Sequence, residues 1–202
     1  GEKMLERIVA ERWLTANASV AFHPANAIGD DIEVYTDDTR REVLFTWHGL
    51  RQQTRKPVLD GVPNPNQALA DFVAPKDSGI ADYIGLFAVT SGIGIEKRES
   101  QFLAKHDDYG AIMLKAIADR MAEAFAELMH ERVRRDLWGY ASGEALTSEE
   151  LIKERYRGIR PAPGYPACPE HSVKRAMFEV LNAGDIGMTL TENYAMHPAS
   201  SV

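Results

Sequence analysis

Apolar residues recur along the chain at two different spacings, and each spacing predicts one kind of secondary structure. Between residues 107 and 138 they follow each other at three or four positions, the repeat of one face of an α-helix. These residues are Met113, Ile117, Met121, Phe125 and Leu128. Asp107 and Asp108 stand at the start, where acidic side chains favour a helix N-terminus, and Gly139 follows the last turn. We therefore predict a long amphipathic helix over 107–138.

Two shorter helices are predicted in the second half of the chain. Thr147 and Glu150 have the spacing of a capping box, in which a hydroxyl and a carboxylate satisfy backbone donors at a helix start. They predict a helix over 148–157, with Gly158 as the residue that closes it. A further helix is predicted to begin near Pro169 and to end near residue 182.

Strands are predicted mainly in the first half. Short segments rich in β-branched and aromatic residues, bounded by Asn, Gly and Asp, lie at 20–22, 32–35, 43–47 and 83–90. Residues 60–66 combine turn formers with two prolines and predict a surface loop. Because strands dominate the first half and helices the second, without regular alternation, the sequence predicts an α+β fold.

The two ends of the chain predict that elements are missing there. Residues 3–13 carry apolar side chains at helical spacing, and no capping residue precedes them. A strand pair predicted at 188–196, around a turn at 191–193, is followed by no closing element. We expect residues 1–202 to form a single domain fragment that lacks both flanks.

Composition narrows the classes of function. The 202 residues are 45% hydrophobic and 26% charged, which is typical of a globular protein. The net charge of −7 argues against nucleic acids and membrane surfaces as partners. No apolar run approaches the roughly 18 residues of a membrane span. The single cysteine, Cys168, excludes an internal disulfide or a Cys-rich zinc site and fits a reducing compartment, so we predict a cytoplasmic protein.

Most motifs with a chemical meaning are incomplete. Gly92 to Gly94 follow a strand, as in a dinucleotide-binding loop, but Lys97 stands where that loop needs Gly or Ala. Glu127 and His130 have the Glu-x-x-His spacing of di-iron bundles, and no second such pair accompanies them. We interpret 130–135, with its three arginines, as a solvated helix C-terminus. These motifs predict no catalytic residue and no metal site.

Residues 160–169, RPAPGYPACP, form an unusual segment that we call the proline segment. Its four prolines fix φ and remove four backbone donors, which predicts a stiff, extended strip with main-chain groups available to a ligand. The Arg160 guanidinium can donate two parallel hydrogen bonds to a carboxylate. Gly164 allows a ligand to approach the backbone closely, and Tyr165 offers a flat aromatic face to it. A rigid connector between helices, or a docking strip, explains the prolines equally well. Cys168, between two prolines, is interpreted as packed and not as a nucleophile.

The proline segment continues to Glu170 and His171, and this run resembles a signature of the activation domain of cobalamin-dependent methionine synthases. Other segments resemble that family in the same order, so that the resemblance covers essentially the whole chain. They are Asn26, 29–35, 50–53, 70–75, 82–85, 118–120 and 131–134.

The resemblance implies a twisted antiparallel sheet with flanking helices. It implies a domain that binds S-adenosylmethionine and supports reductive methylation of the inactive cob(II) form of cobalamin. The electron would come from flavodoxin or a flavoprotein reductase, and cobalamin would be bound by a neighbouring domain of the same polypeptide. Zinc would belong to the parent methyltransferase only, which transfers a methyl group from 5-methyltetrahydrofolate to homocysteine. The fragment alone would not be catalytic.

The resemblance also implies which residues hold the ligand. Arg160, Ala162 and Gly164 would contact it largely through the main chain, and two glutamates would be acidic partners of its cationic groups. The full set is Glu123, Glu154, Arg160, Pro161, Ala162, Pro163, Gly164 and Tyr165. S-adenosylmethionine carries an ammonium, a carboxylate, a sulfonium and an adenine, so this mixture of acids, a donor and main-chain groups suits it. Without the resemblance, both glutamates would be predicted as surface charges.

A second hypothesis is an interaction module that docks the flavoprotein donor and the cobalamin domain without binding a ligand. Its contact with an acidic flavoprotein would use the basic residues of the second half of the chain. These are Arg132, Arg134, Arg135, Lys153, Arg155 and Arg157. A free-standing enzyme is a third hypothesis, which lacks a nucleophile–base pair.

Overall fold

Four strands form one sheet, and they include every strand predicted in the first half of the chain. The sheet order is β3-β2-β1-β4, with β1 at Thr15–Ile28, β2 at Asp31–Tyr35, β3 at Val43–Trp47 and β4 at Asp82–Ile93. β2 pairs antiparallel with both β1 and β3. The predicted α+β class with an antiparallel sheet is confirmed. β1 is much longer than the predicted 20–22, because pairing within a sheet overrides the low strand propensity of its Asn and Pro residues.

The computed structural model describes residues 1–54, 56, 61 and 64–202. Residues 60, 62 and 63 of the predicted loop at 60–66 therefore lie outside the described residues. The chain divides into two units. The first unit is formed by Gly1–Ser19, Phe87–Ile159 and Leu181–Val202, and the second by Val20–Leu86 and Arg160–Val180. Because β1 and β4 are long, each contributes residues to both units.

The helices confirm the predicted helices with some shifted boundaries and include one, at Ile95–Leu103, that was not predicted. In chain order they are α1 (Glu2–Ala10), α2 (Ile95–Leu103), α3 (Asp108–Arg132), α4 (Ser148–Ile152) and α5 (Lys174–Val180). Single 3-10 turns lie at Leu69–Phe72, Lys76–Ser78 and Ala183–Ile186. The predicted strand pair near the end of the chain is β5 (Thr189–Leu190) and β6 (Met196–His197). None of the helices in the described part of the chain has the length and apolar character needed to cross a bilayer.

The long predicted helix is confirmed in extent. Asp107 is its N-cap, and the Asp107 Oδ1 accepts a hydrogen bond from the Gly110 N–H at 2.8 Å. A π-helical turn, Val133–Leu137, continues α3, and Gly139 follows with a φ of 77°. α2 was not predicted, because its sequence IEKRESQFL has too few apolar residues to show a periodicity.

The buried face of α3 differs from the predicted one. Small side chains at every fourth position are almost completely buried, namely Ala118, Ala122 and Ala126. The predicted Met113 and Phe125 are only half-buried, and Leu128 is half exposed. Because these side chains are small, β4 lies close to the backbone of α3. The Ser91 Oγ of β4 donates a hydrogen bond to the Ala118 carbonyl at 2.7 Å. Of the predicted apolar face, Ile117 and Met121 pack at the margin of a buried cluster formed by Ile8, Trp13, Ile95, Leu114 and Ala118.

Two other helix predictions need correction. The first helix ends at Ala10, and its Leu5 and Val9 are exposed, while Ile8 is buried. α5 begins at Lys174, five residues later than the predicted Pro169, because turns occupy the intervening chain.

Candidate functional site

The proline segment is folded into two successive turns. The Tyr165 N–H donates to the Ala162 carbonyl at 2.9 Å, and the Cys168 N–H donates to the Tyr165 carbonyl at 2.9 Å. The Gly164 N–H donates to the Cys168 carbonyl at 2.8 Å. In both turns a proline occupies the second position, where its fixed φ favours a turn. The prediction of an extended strip is therefore wrong beyond Ala162, and several main-chain groups that were expected to be available are used within the segment.

Gly164 is required by the first turn for two reasons. Its φ of 103° lies in the region that side chains avoid. A Cβ on this residue would also lie 2.6 Å from the Cε1 atom of His171. The His171 imidazole therefore packs directly on the turn, although it was not among the predicted site residues. Its position at the end of the family-like run was the only sequence signal for it.

The remaining predicted residues of the segment differ in exposure. Arg160 and the residues at 161–163 are half-buried, whereas 60% of Tyr165 is exposed. The Tyr165 ring is thus available as the flat face that the sequence predicted.

Cys168 anchors the segment to the sheet of the second unit. It is 4% exposed, and the Trp47 side chain of β3 interacts with its thiol. Burial raises the pKa of the Cys168 thiol from its ordinary value of 9.0 to about 11, and the nearby Glu170 carboxylate contributes to the increase. A thiol with a raised pKa is a poor nucleophile. The structure therefore confirms that Cys168 is packed.

The capping box that begins α4 is confirmed. The Thr147 Oγ1 accepts from the Glu150 N–H at 3.3 Å, and the Glu150 Oε2 accepts from the Thr147 N–H at 2.8 Å. The pKa of the Glu150 carboxyl is lowered, because the backbone N–H and the hydroxyl of Thr147 both stabilise its charged form.

α4 ends at Ile152, five residues before the predicted end at 157, and Glu154 closes it. Its φ is 52°, and the Glu154 N–H donates to the Leu151 carbonyl at 2.9 Å. The Arg155 N–H donates to the Glu150 carbonyl at 3.0 Å. These two bonds form a Schellman motif, in which a left-handed residue ends the helix. Glu154 occupies the place predicted for Gly158, and its side chain is exposed.

Glu123 lies on the exposed side of α3, next to the buried Ala122. Glu123 and Glu154 belong to the first unit, whereas Arg160 to Tyr165 belong to the second. Both glutamates are as exposed as ordinary surface acids. Their carboxylates are also accessible to a charged ligand.

The interpretation of 130–135 as a solvated face is wrong in part, because His130, Val133 and Arg134 are buried, whereas Arg132 and Arg135 are exposed. Arg134 is completely buried, and its Nε and Nη2 donate to the Glu144 Oε2 at 2.8 and 2.6 Å. Its Cζ lies 4.5 Å from the centroid of the Tyr156 ring, and His130 is also buried. The π-helical turn explains the error, because its wider turn changes which residues face inward. Arg134 cannot belong to an exposed basic cluster.

The two glycines of the weak dinucleotide-like motif have local roles. A Cβ on Gly92 would lie 2.6 Å from the Pro198 Cβ, so this glycine admits the proline ring. Gly94, with a φ of 93°, is the N-cap of α2. Within the described residues, no group of three or more His, Cys, Asp or Glu side chains is placed to hold a metal ion.

Comparison with known families shows what kind of domain carries these features. The family described as the activation domain of vitamin B12 dependent methionine synthase matches residues 1–202. The chain belongs to this family. The resemblance that the sequence motifs indicated is thereby confirmed over its whole length.

A solved structure of the same kind supports the membership in the activation-domain family. A crystal structure of the MetH reactivation domain bound to AdoHcy superimposes with a TM-score of 0.91 and 54% sequence identity. The match covers 100% of this chain and 61% of that chain. The chain therefore spans about three fifths of the length of this relative.

The residues that carry the family resemblance outside the proline segment are largely structural. The Arg51 guanidinium donates to Asp30 at 2.6 Å and to Asp71 at 2.7 Å, and it lowers the pKa of the Asp71 carboxyl. Asn26 is 4% exposed, and its Oδ1 accepts from the Arg40 Nη1 at 2.8 Å. These activation-domain motifs are thus explained by the folding of the second unit.

Proposed function

We propose that this activation domain binds S-adenosylmethionine and supports the reactivation of cobalamin in methionine synthase. The observation that carries the proposal is the 54% identity, over the whole chain, to a MetH reactivation domain bound to AdoHcy. AdoHcy is what remains when S-adenosylmethionine gives up its methyl group. In the proposed reaction this methyl group passes to cobalamin on a neighbouring domain, after one electron from flavodoxin or a flavoprotein reductase. Cobalamin and the zinc of the parent enzyme are not bound by this chain.

The predicted site residues are proposed to contact different groups of the ligand. The exposed Glu123 and Glu154 carboxylates offer negative charge to the ammonium and sulfonium groups. Arg160 contacts the ligand largely through its main chain, and its guanidinium offers donors to the ligand carboxylate. The exposed Tyr165 ring offers a face to the adenine. Pro161, Ala162, Pro163 and Gly164 supply the rigid main chain between these two side chains.

The setting of the domain is also proposed. The parent protein is a cytoplasmic methyltransferase in which this chain docks against the cobalamin domain and is not catalytic alone. The single buried cysteine is consistent with a reducing compartment. Neither nucleic acid nor membrane is proposed as a partner, because the net charge is −7.

A calorimetric titration with two ligands tests the binding role of Glu154. S-adenosylmethionine and AdoHcy share the ammonium group, but only the first carries a sulfonium. We expect Glu154→Gln to weaken both ligands by about 10- to 150-fold, because it deletes a charge-assisted hydrogen bond to the shared ammonium. A loss for S-adenosylmethionine alone would place Glu154 near the sulfonium. Retention of both affinities within about twofold would show that Glu154 is a solvated acid.

A comparison of the full-length protein with residues 1–202 distinguishes the proposed function from the alternative, docking without ligand binding. The relative of known structure is longer than this chain, so residues outside 1–202 are proposed to complete the site. S-adenosylmethionine should then bind much more tightly to the full-length protein than to residues 1–202. Equal affinities would show a self-contained site, and heat absent from both titrations would favour the docking function.

A further inference from the structure

A buried polar cluster lies beside the chain segment that carries Glu154. Arg134 is completely buried, and the side chain of its partner Glu144 is only 10% exposed. The Nη1 of Arg134 makes no hydrogen bond to any described residue. The guanidinium is therefore held in place by Glu144 on one side and by the face of the Tyr156 ring on the other.

The cluster fixes the chain directly after Glu154. The Tyr156 ring contacts the Arg134 guanidinium. The His130 ring packs edge-to-face on the Tyr156 ring, with a centroid distance of 4.6 Å. The following residue is fixed as well. The Arg157 Nη1 donates to the Tyr140 carbonyl at 3.2 Å, and the Tyr140 hydroxyl donates to the Arg157 carbonyl at 3.2 Å.

The chain before Glu154 is fixed by the end of α4. The Schellman bonds hold the N–H groups of Glu154 and Arg155, and the capping box holds the other end of the short helix. Glu154 is left with a φ of 52°, which residues other than glycine and asparagine seldom adopt. Such a conformation persists only where the surrounding structure over-determines it, and it is frequent at ligand sites.

We propose that Tyr156, held by Arg134, is a positioning residue that keeps Glu154 in this conformation with its carboxylate presented to the ligand. Presentation of a preordered acid reduces the conformational entropy that binding would otherwise remove. The inference rests on the proposed function, because it requires Glu154 to contact S-adenosylmethionine. It adds that the affinity depends on a cluster that does not itself touch the ligand.

The test is a double-mutant cycle on the affinity for S-adenosylmethionine, measured calorimetrically in the full-length protein. The four proteins are the parent, Tyr156→Leu, Glu154→Gln and the double variant. If Tyr156 acts through Glu154, Tyr156→Leu weakens binding about tenfold in the parent and less than about twofold in the protein that already carries Glu154→Gln. Tyr156→Phe retains the ring face and keeps the parent affinity within about twofold.

Two controls separate positioning from general loss of structure. Tyr109→Leu removes an exposed ring from the same unit and should leave the affinity unchanged. A melting curve of each variant verifies that it is folded at the titration temperature. If Tyr156→Leu does not fold, Arg134→Lys takes its place in the cycle, because it keeps a positive charge beside Glu144 but loses the planar group that stacks on Tyr156.

The outcomes distinguish the two proposals. If Tyr156→Leu weakens binding equally with and without the Glu154→Gln change, the positioning role is overturned and the proposed function remains intact. If Glu154→Gln binds S-adenosylmethionine within about twofold of the parent, the proposed contact is overturned, and the positioning role with it.

Discussion

At the residue scale, Glu154 shows a conflict between stability and function. Its left-handed conformation is one that glycine adopts without strain. A glutamate at this position makes the end of α4 less stable than it could be. The exposed carboxylate is the feature that glycine would lack, and it is the feature that the proposed ligand site uses.

Glu154→Gly is therefore expected to stabilise the protein while it weakens ligand binding. Relief of the left-handed conformation should raise the free energy of unfolding by about 1 kcal/mol, which corresponds to an increase of about 2–4 °C in Tm for a chain of this size. Arg155→Gly, one residue later, is the matched control and should not stabilise. A lower Tm for Glu154→Gly would contradict the strain argument.

The Cys168 thiol predicts a loss of stability in alkaline solution. Its pKa is raised from 9.0 to about 11 in the folded protein, so above pH 9 the unfolded chain releases a proton that the folded chain keeps. Stability from this group is complete below pH 9 and falls as the pH rises to about 11, by about 2 to 3 kcal/mol in total. Urea unfolding of the parent and of Cys168→Ala should show this additional decrease only in the parent. Parallel pH profiles would contradict the burial of a neutral thiol.

At the element scale, α3 depends on small side chains. Its buried face is built from alanines, and the Ser91 hydroxyl approaches the backbone of the helix at Ala118. Close packing of this kind leaves no space for added methylene groups. The small size of the side chains on the buried face therefore determines how closely α3 approaches β4 within the first unit.

Ala118→Leu is expected to destabilise the protein by about 1–3 kcal/mol through overpacking. Ala116→Leu makes the same chemical change at an exposed position of the same helix, and it should change stability by less than about 0.5 kcal/mol. Urea unfolding followed by circular dichroism measures both variants. Equal effects at the two positions would mean that the buried face of α3 is assigned incorrectly.

At the scale of the whole molecule, charge governs the proposed docking of an electron donor. The chain carries a net charge of −7, so an acidic flavoprotein is attracted only by local basic groups. The burial of Arg134 removes it from the predicted cluster, and Arg135 and Lys153 are paired with Glu131 and Glu149. The exposed Arg132 and Arg155 remain the most available candidates among the described residues.

Arg132→Glu and Arg155→Glu are expected to slow association with an acidic flavodoxin at low salt. The difference from the parent should shrink as salt rises, because exposed charges are screened over about 10 Å at 0.1 M. Lys3→Glu changes the net charge by the same amount on α1 and serves as the control. Stopped-flow association rates that fall equally for all three variants would show that only the net charge matters.

The order and type of most elements could be predicted from the sequence, because periodicity and caps are local properties. The capping box of Thr147 and Glu150, the N-cap Asp107 and the strand at 43–47 were predictable from neighbouring residues. The family, and with it the expected ligand, could also be predicted from the sequence, because motifs in the same order over essentially the whole chain are long and specific. The hydrophobic pattern could not predict α2, since its apolar residues are too sparse.

Which groups are buried, and how the site residues are held, depends on the tertiary structure. The sequence predicted Arg134 as a surface charge. In the structure it is buried against Glu144 and Tyr156, which lie 10 and 22 positions away along the chain. The proline segment folds into turns because hydrogen bonds within it and the contact of Cys168 with Trp47 stabilise them. Glu154 replaces glycine at the end of α4 because contacts on both sides fix the backbone. The burial of Arg134 and Cys168 in particular depends on residues distant in sequence, and local patterns carry no information about such contacts.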